Sequence, residues 1–152
     1  MMKEFDARSK SRLVGVHDDL VEVAQIALQL CPVPFIITEG LRTLERQKQL
    51  LAAGASKTLK SRHLTGHAVD VAAYIDLDGD NMKDPNEAVR WDWPFYFKIA
   101  EAFRQAAEQL EVPVEWGGLW RLLNGNGPVV EVDLPKFADG PHFQLTWRDY
   151  PV

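Results

Sequence analysis

The sequence predicts an α+β fold in which helices pack against a small, mainly antiparallel sheet. Three observations point there. Two long stretches carry apolar residues at helical spacing, and four short segments are apolar and rich in β-branched or aromatic residues. The two kinds are mixed along the chain instead of alternating regularly, as a doubly wound fold requires. At 152 residues and 46% hydrophobic content the chain suits one domain spanning residues 1–152 around a single core.

In residues 19–30 the apolar positions Leu20, Val23, Ala24, Ala27 and Leu28 recur with helical spacing, Asp18 or Asp19 supplies the cap, and Pro32 the stop. Cys31, the single cysteine, has no partner for an intramolecular disulfide and its place at this helix end argues for burial. Residues 34–38 read as a short strand that Gly40 breaks, after which Thr43 caps a second helix running toward Gly54. Residues 68–75 read as a strand with Ala68, Asp70, Ala72 and Tyr74 on one face, where Asp70 is the odd member. Asp92 or Trp93, just before Pro94, opens a long amphipathic helix marked by Phe95, Ile99, Ala102, Phe103, Ala106 and Leu110, and it ends before Pro113. Residues 114–116 and 142–146 are two further strands. Residues 119–140 between them are irregular, with a strong turn at 124–128 and a short strand or hairpin arm at 129–132.

A net charge of −5 and a pI near 5.3 leave no basic patch for nucleic acid, so that class of partner is excluded. Asp76, Asp78, Asp80, Asp84 and Glu87, set against Lys83, account for all but one of the net negative charges. The first residues lack the apolar run of a signal peptide and no segment is long enough to span a bilayer. The expectation is a chain made in the host cytoplasm without a signal peptide and without membrane insertion.

His63, in residues 61–70, and His142, in residues 139–143, stand in segments that carry glycine and carboxylate. A catalytic zinc site needs three nitrogen or carboxylate ligands and one open position, and His63, Asp70 and His142 supply such a set. A carboxylate on an apolar strand is costly unless it is neutralised, hydrogen-bonded or bound to metal. From the residues alone, Asp70 suits either a metal ligand or a structural Asp–Arg pair. Ser61 has no acid–histidine pair beside it, so a serine hydrolase is a poor reading. His67 and His17 read as exposed or locally hydrogen-bonded.

The pattern Ser61-x-His63-x-x-Gly66-x-Ala68-x-Asp70, then Trp116-Gly117-Gly118-x-Trp120, then Asp139-x-Pro141-His142-Phe143-Gln144, resembles the zinc peptidases that include D-Ala-D-Ala carboxypeptidases and the phage endolysins acting as L-alanyl-D-glutamate peptidases. With residues 38–43 upstream, the resemblance spans nearly the whole chain in the family's order. It implies that His63, Asp70 and His142 bind Zn2+, that Asp139 takes a proton from the attacking water, and that Arg42 binds substrate and stabilises the oxyanion. Trp116 and Trp120 are candidates for lining the cleft, and Ser61 for a supporting or substrate-binding part. The chain departs from the family pattern at Leu119, where an acidic residue is usual, and in a longer stretch over residues 121–136.

Residues 76, 78, 80, 84 and 87 also match positions of an EF-hand calcium loop, with Asn81 where glycine is preferred. Ca2+ bound by Asp76, Asp78, Asp80, Asp84 and Glu87 is one reading, with regulation of activity its consequence. A solvated turn, with Asp84 and Glu87 at the next helix start, is the other. The function expected is that of a bacteriolytic endolysin cutting the L-alanyl-D-glutamate bond of peptidoglycan stem peptides in the periplasm or wall, reached with a holin's help. The alternatives are a D-Ala-D-Ala carboxypeptidase of the same family and a non-catalytic, zinc-stabilised wall-binding module.

Overall fold

The computed structural model describes residues 3–56, 58, 60–76 and 87–151. Along them run α1 (Ala7–Arg12), α2 (Asp18–Leu30), β1 (Phe35–Glu39), α3 (Leu44–Ala52), a 3-10 turn (Arg62–Thr65), β2 (Ala68–Asp76), β3 (Glu87–Arg90), α4 (Trp93–Leu110), β4 (Val114–Trp116), β5 (Arg121–Leu122) and β6 (His142–Leu145). The strands form one antiparallel sheet in the order β1-β2-β6-β4-β5, and β3 pairs with β2. One edge of β2 meets β1; the other meets β6 at Ala68 to Asp70 and β3 at Ala73 to Asp76. The fold class is the α+β arrangement read from the sequence.

Strand alternation divides the sheet into two chemically different faces. Val69, Val71, Ala73, Phe35, Ile37, Val114, Trp116, Phe143 and Leu145 are all buried and belong to one core with the apolar stripes of α2 and α4. Phe103 of α4 stacks on Phe143 of β6 with ring centroids 3.9 Å apart. Each of the larger side chains in this set contributes roughly 1.5–3 kcal/mol, so this face holds the sheet together. The intervening positions, Asp70, His142, Gln144 and Glu115, turn to the other face.

Three elements had no sequence signal. The two-turn α1 covers the free edge of β1: the Ser9 hydroxyl accepts from the Ile37 amide at 2.9 Å and Arg12 donates to the Ile37 carbonyl at 2.9 Å. An edge strand is thereby closed by side chains. The short β3 and β5 form because β2 and β4 offer them pairing partners. The cap of α2 is His17, whose Nδ1 accepts from the Asp19 amide at 3.1 Å, while Asp18 and Asp19 occupy the first turn and favour the positive end of the helix.

Residues 129–132 are not a strand, because β5 takes the pairing with β4. The segment is instead strapped to α4: Glu101 accepts from the Val129 amide at 2.8 Å and Glu108 from the Gly125 amide at 2.9 Å. Leu119 lies partly buried against the core, so the place of the family's usual acidic residue is filled by packing. Glu87 opens β3, not a helix as the solvated-turn reading had it. Asp78, Asp80 and Asp84 lie outside the described residues. Cys31 is buried at the C-terminal end of α2, and among the described residues no helix is long and apolar enough to cross a membrane.

Gly66 ends the 3-10 turn with φ +76°, and a Cβ there would collide with the Gly15 carbonyl oxygen. Gly66→Ala should therefore cost about 2–4 kcal/mol of stability, read by urea unfolding, since both a left-handed backbone and a close approach are violated. Glu101 gives a second test. Hydrogen bonds from Arg104, helped by Gln105 and the Val129 amide and opposed by burial, bring its carboxyl down to about 2 from the ordinary 4.5. A depressed folded-state pKa stabilises above the unfolded value and loses that contribution as pH falls toward the folded one. Urea midpoints of Glu101→Gln and the parent should differ above about pH 4.5 and converge toward pH 2.

Candidate active site

His63 enters the site from the 3-10 turn, which begins where the Ser61 hydroxyl accepts from the His63 amide at 3.2 Å. Its Nδ1 lies 2.8 Å from the Gly40 carbonyl oxygen. A carbonyl only accepts, so Nδ1 carries the proton and Nε2 presents its lone pair. Asp70 and His142 are register partners on β2 and β6 and share the polar face of the sheet.

His142 is oriented through two more side chains. Its Nε2 is 2.7 Å from Gln144 Oε1, and Gln144 Nε2 reaches Glu115 Oε2 at 3.4 Å. Glu115 and Gln144 are themselves cross-strand partners. The Glu115 carboxylate attracts the amide NH2 and repels the amide oxygen, so Gln144 shows its oxygen to His142. Nε2 of His142 then carries the proton, and Nδ1 faces the site with a lone pair.

Both inner nitrogens meet Asp70 Oδ1, His63 Nε2 at 3.2 Å and His142 Nδ1 at 3.1 Å, and the three ligand atoms lie within 4.8 Å of one another. Lone pairs aimed at a carboxylate oxygen repel it unless a cation stands among them, either a proton on each ring or a metal ion. Two imidazole nitrogens and one carboxylate, each imidazole held through its other nitrogen by an oxygen acceptor, fit a catalytic zinc ion with a coordination position left for water.

Burial alone would raise the Asp70 carboxyl, but hydrogen bonds from His142 and His63 outweigh it and hold the group well below the usual carboxylate range. His142 shows the converse: burial opposes its protonation, and Asp70 overcomes that and raises its pKa. Asp139 keeps solvent-exposed surface, yet the protein around it, and next the negative charge of Asp70, push its carboxyl upward. Its backbone is fixed by Gly117: the Asp139 amide donates to the Gly117 carbonyl at 2.9 Å, and the Gly117 amide to the His142 carbonyl at 2.8 Å. A Cβ on Gly117 would strike the Asp139 carbonyl oxygen, so that approach requires glycine.

Arg42 is clamped by both carboxylate oxygens of Glu39 at 2.7 Å and by Gln47 Oε1 at 2.7 Å, and its guanidinium stands 3.6 Å from Asp70. The cleft around these groups, about 960 Å³ in volume, brings together His63, Asp70, His142, Asp139, Arg42 and Ser61. Trp120 also lines it, 42% exposed, with its ring 5.5 Å from that of His142.

Trp116 does not line the cleft. It is fully buried on the core face beside Phe97 and Phe143, and its Nε1 donates to the Gly140 carbonyl at 2.7 Å, bracing the loop that carries Asp139. His67 is buried and locally bonded, with Nδ1 2.7 Å from Thr65 Oγ1, and it lies outside the three-ligand group. Sequence reasoning gave no part to Glu115, Gln47 or Phe137. Glu115 had a legible signal as the one polar residue between Val114 and Trp116 on a strand; Phe137 reaches the cleft, and the buried Gln47 reaches Arg42, by tertiary placement alone.

The family model of phage L-alanyl-D-glutamate peptidases matches residues 1–146. The L-alanyl-D-glutamate peptidase of Escherichia phage T5 is 32% identical over 149 residues, covering 95% of this chain and 99% of that protein. The enzyme of the same name from Listeria phage A118 is 28% identical over 115 residues, covering 76% of this chain and 31% of that protein. The crystal structure of the Serratia marcescens L-Ala D-Glu endopeptidase ChiX superposes with a TM-score of 0.77 at 46% identity, covering 99% of this chain and 96% of that one. The chain belongs to the phage L-alanyl-D-glutamate peptidase family.

Proposed function

We propose that this protein is a zinc-dependent endolysin that hydrolyses the L-alanyl-D-glutamate bond of peptidoglycan stem peptides, with His63, Asp70 and His142 holding the metal. The observation that carries the reading is the outward hydrogen bonding of both imidazoles, to Gly40 and to Gln144, which turns two lone pairs toward one carboxylate oxygen. A zinc ion held by these three residues would supply Lewis acidity toward the scissile carbonyl and would lower the pKa of a water toward ~7. Asp139 accepts the proton of the attacking water, and its raised pKa brings its basicity nearer to neutral. Arg42, immobilised by Glu39 and Gln47, keeps a cation beside Asp70 to steady the oxygen that gains charge. Ser61 supports the turn that delivers His63. Bacteriolysis from within, with a holin opening the route to the wall, belongs to the same reading.

Asp139→Ala should lower kcat by about 10²-fold or more while zinc content stays near one per chain, measured by atomic emission. Equal hydrolysis by variant and parent would sink the base assignment, and absence of hydrolysis by the parent would favour the binding module. Mass spectrometry of digested peptidoglycan should show new N-terminal D-glutamate; released D-alanine would point to the carboxypeptidase.

The calcium reading has one support. Asp76 and Glu87, first and twelfth in the loop spacing, are register partners where β2 meets β3, so the ends of the acidic segment are joined. Calorimetry on chelator-treated protein should show calcium binding between micromolar and millimolar. No heat beyond dilution in that range would end the proposal.

A further inference from the structure

Trp120 and Phe137 share an unusual backbone state. Both are bulky aromatic residues in the left-handed region, at φ +49° and +59°, a conformation that costs non-glycine side chains of this kind about 1–3 kcal/mol each. They are joined, since Trp120 Nε1 donates to the Phe137 carbonyl at 2.7 Å. Both line the cleft, and both leave aromatic surface in solvent, Trp120 at 42% and Phe137 at 72% exposure. A polar or small residue would suit either backbone better.

The sheet order gives the cleft a direction. Arg42 follows β1, to one side of the β2–β6 pair that carries Asp70 and His142; Trp120 lies between β4 and β5, on the other side. Among the described residues, the cations lining the cleft, Arg42, Lys60 and Arg62, come from residues 42–62, whereas the stretch 137–138 and Trp120 bring none. The substrate of the proposed reaction has the same asymmetry. On the C-terminal side of the scissile bond, D-glutamate carries a free α-carboxylate and leads to further charged residues. On the N-terminal side a single L-alanine joins the lactyl group of an N-acetylated muramyl sugar, whose ring presents C–H groups to whatever it lies on.

We propose that Trp120 and Phe137 form a stacking platform for the muramyl sugar, making the protein select stem peptides still attached to glycan. The inference rests on the L-alanyl-D-glutamate reading and deepens it. An exposed aromatic surface gains by covering such a ring, and the Trp120–Phe137 hydrogen bond fixes the indole for it.

The test compares two soluble substrates, a disaccharide-linked stem peptide and the same peptide with an acetyl cap in place of the sugar. The parent should cut the sugar-bearing peptide with a kcat/KM about tenfold higher, the gain lying in KM. In Phe137→Gly, whose backbone accepts the left-handed conformation without strain, the ratio should fall toward one while the variant still unfolds cooperatively. Phe137→Tyr, which keeps a ring, should retain the ratio. A parent ratio near one, or a ratio preserved in Phe137→Gly, would overturn the platform even with cleavage after L-alanine intact. Cleavage at another bond would instead remove the functional reading on which the platform rests.

Discussion

The structure depends on what surrounds the Asp70 carboxylate. It stands on the central strand with an imidazole on either side, each 3.1–3.2 Å from the same oxygen. Removing a charge from water is expensive, and an unpartnered carboxylate at this place would destabilise the strand or take up a proton. The surrounding shell keeps the charge in place. Gly40 holds one ring, Gln144 and Glu115 hold the other, and Arg42 lies beside the second carboxylate oxygen. These outer contacts leave the rings little freedom, so the arrangement that fits a metal is already present in the fold.

That rigidity rests on a division of labour between the two faces of the sheet. The α2 and α4 face supplies the apolar burial, and the opposite face is left to carry charge without weakening the core. Trp116 and Phe143 serve both: they pack under α4 while neighbouring positions on the same strands, Glu115, His142 and Gln144, turn to the cleft. A change in core packing beneath β6 therefore reaches the site through one residue step. The strap over residues 125–129 adds a third constraint, because Glu101 and Glu108 hold it to α4 shortly before Phe137 and Asp139 enter the cleft.

Much of this was legible in the sequence, for identifiable reasons. α2, α4 and β2 are long enough for periodicity to show, and their observed bounds differ from expectation by a residue or two. The group of His63, Asp70 and His142 was legible because two separated motifs concentrate histidine and aspartate, and the fold brings the three together. α1, β3 and β5 were not, since segments of two to six residues take their structure from neighbours already in place. The cap of α2 was misassigned because an aspartate normally outcompetes histidine there, whereas His17 is drawn into position by its amide bond to the Gly66 carbonyl at 2.7 Å.

The two tryptophans of one motif show where pattern reading stops. Trp116 and Trp120 are four residues apart and chemically identical, yet one is fully buried and the other is a cleft wall. Trp116 follows Val114 on the core face of β4, a fate that period-two alternation does encode. Trp120 lies beyond Gly117 and Gly118, where the chain leaves the strand and no period applies. Its backbone bonds to the Trp116 carbonyl at 2.7 Å and takes the left-handed conformation, which sends the indole toward Phe137 and His142. The paired glycines thus do two things: one admits the Asp139 backbone, and together they release the next tryptophan from the core so that it faces the site.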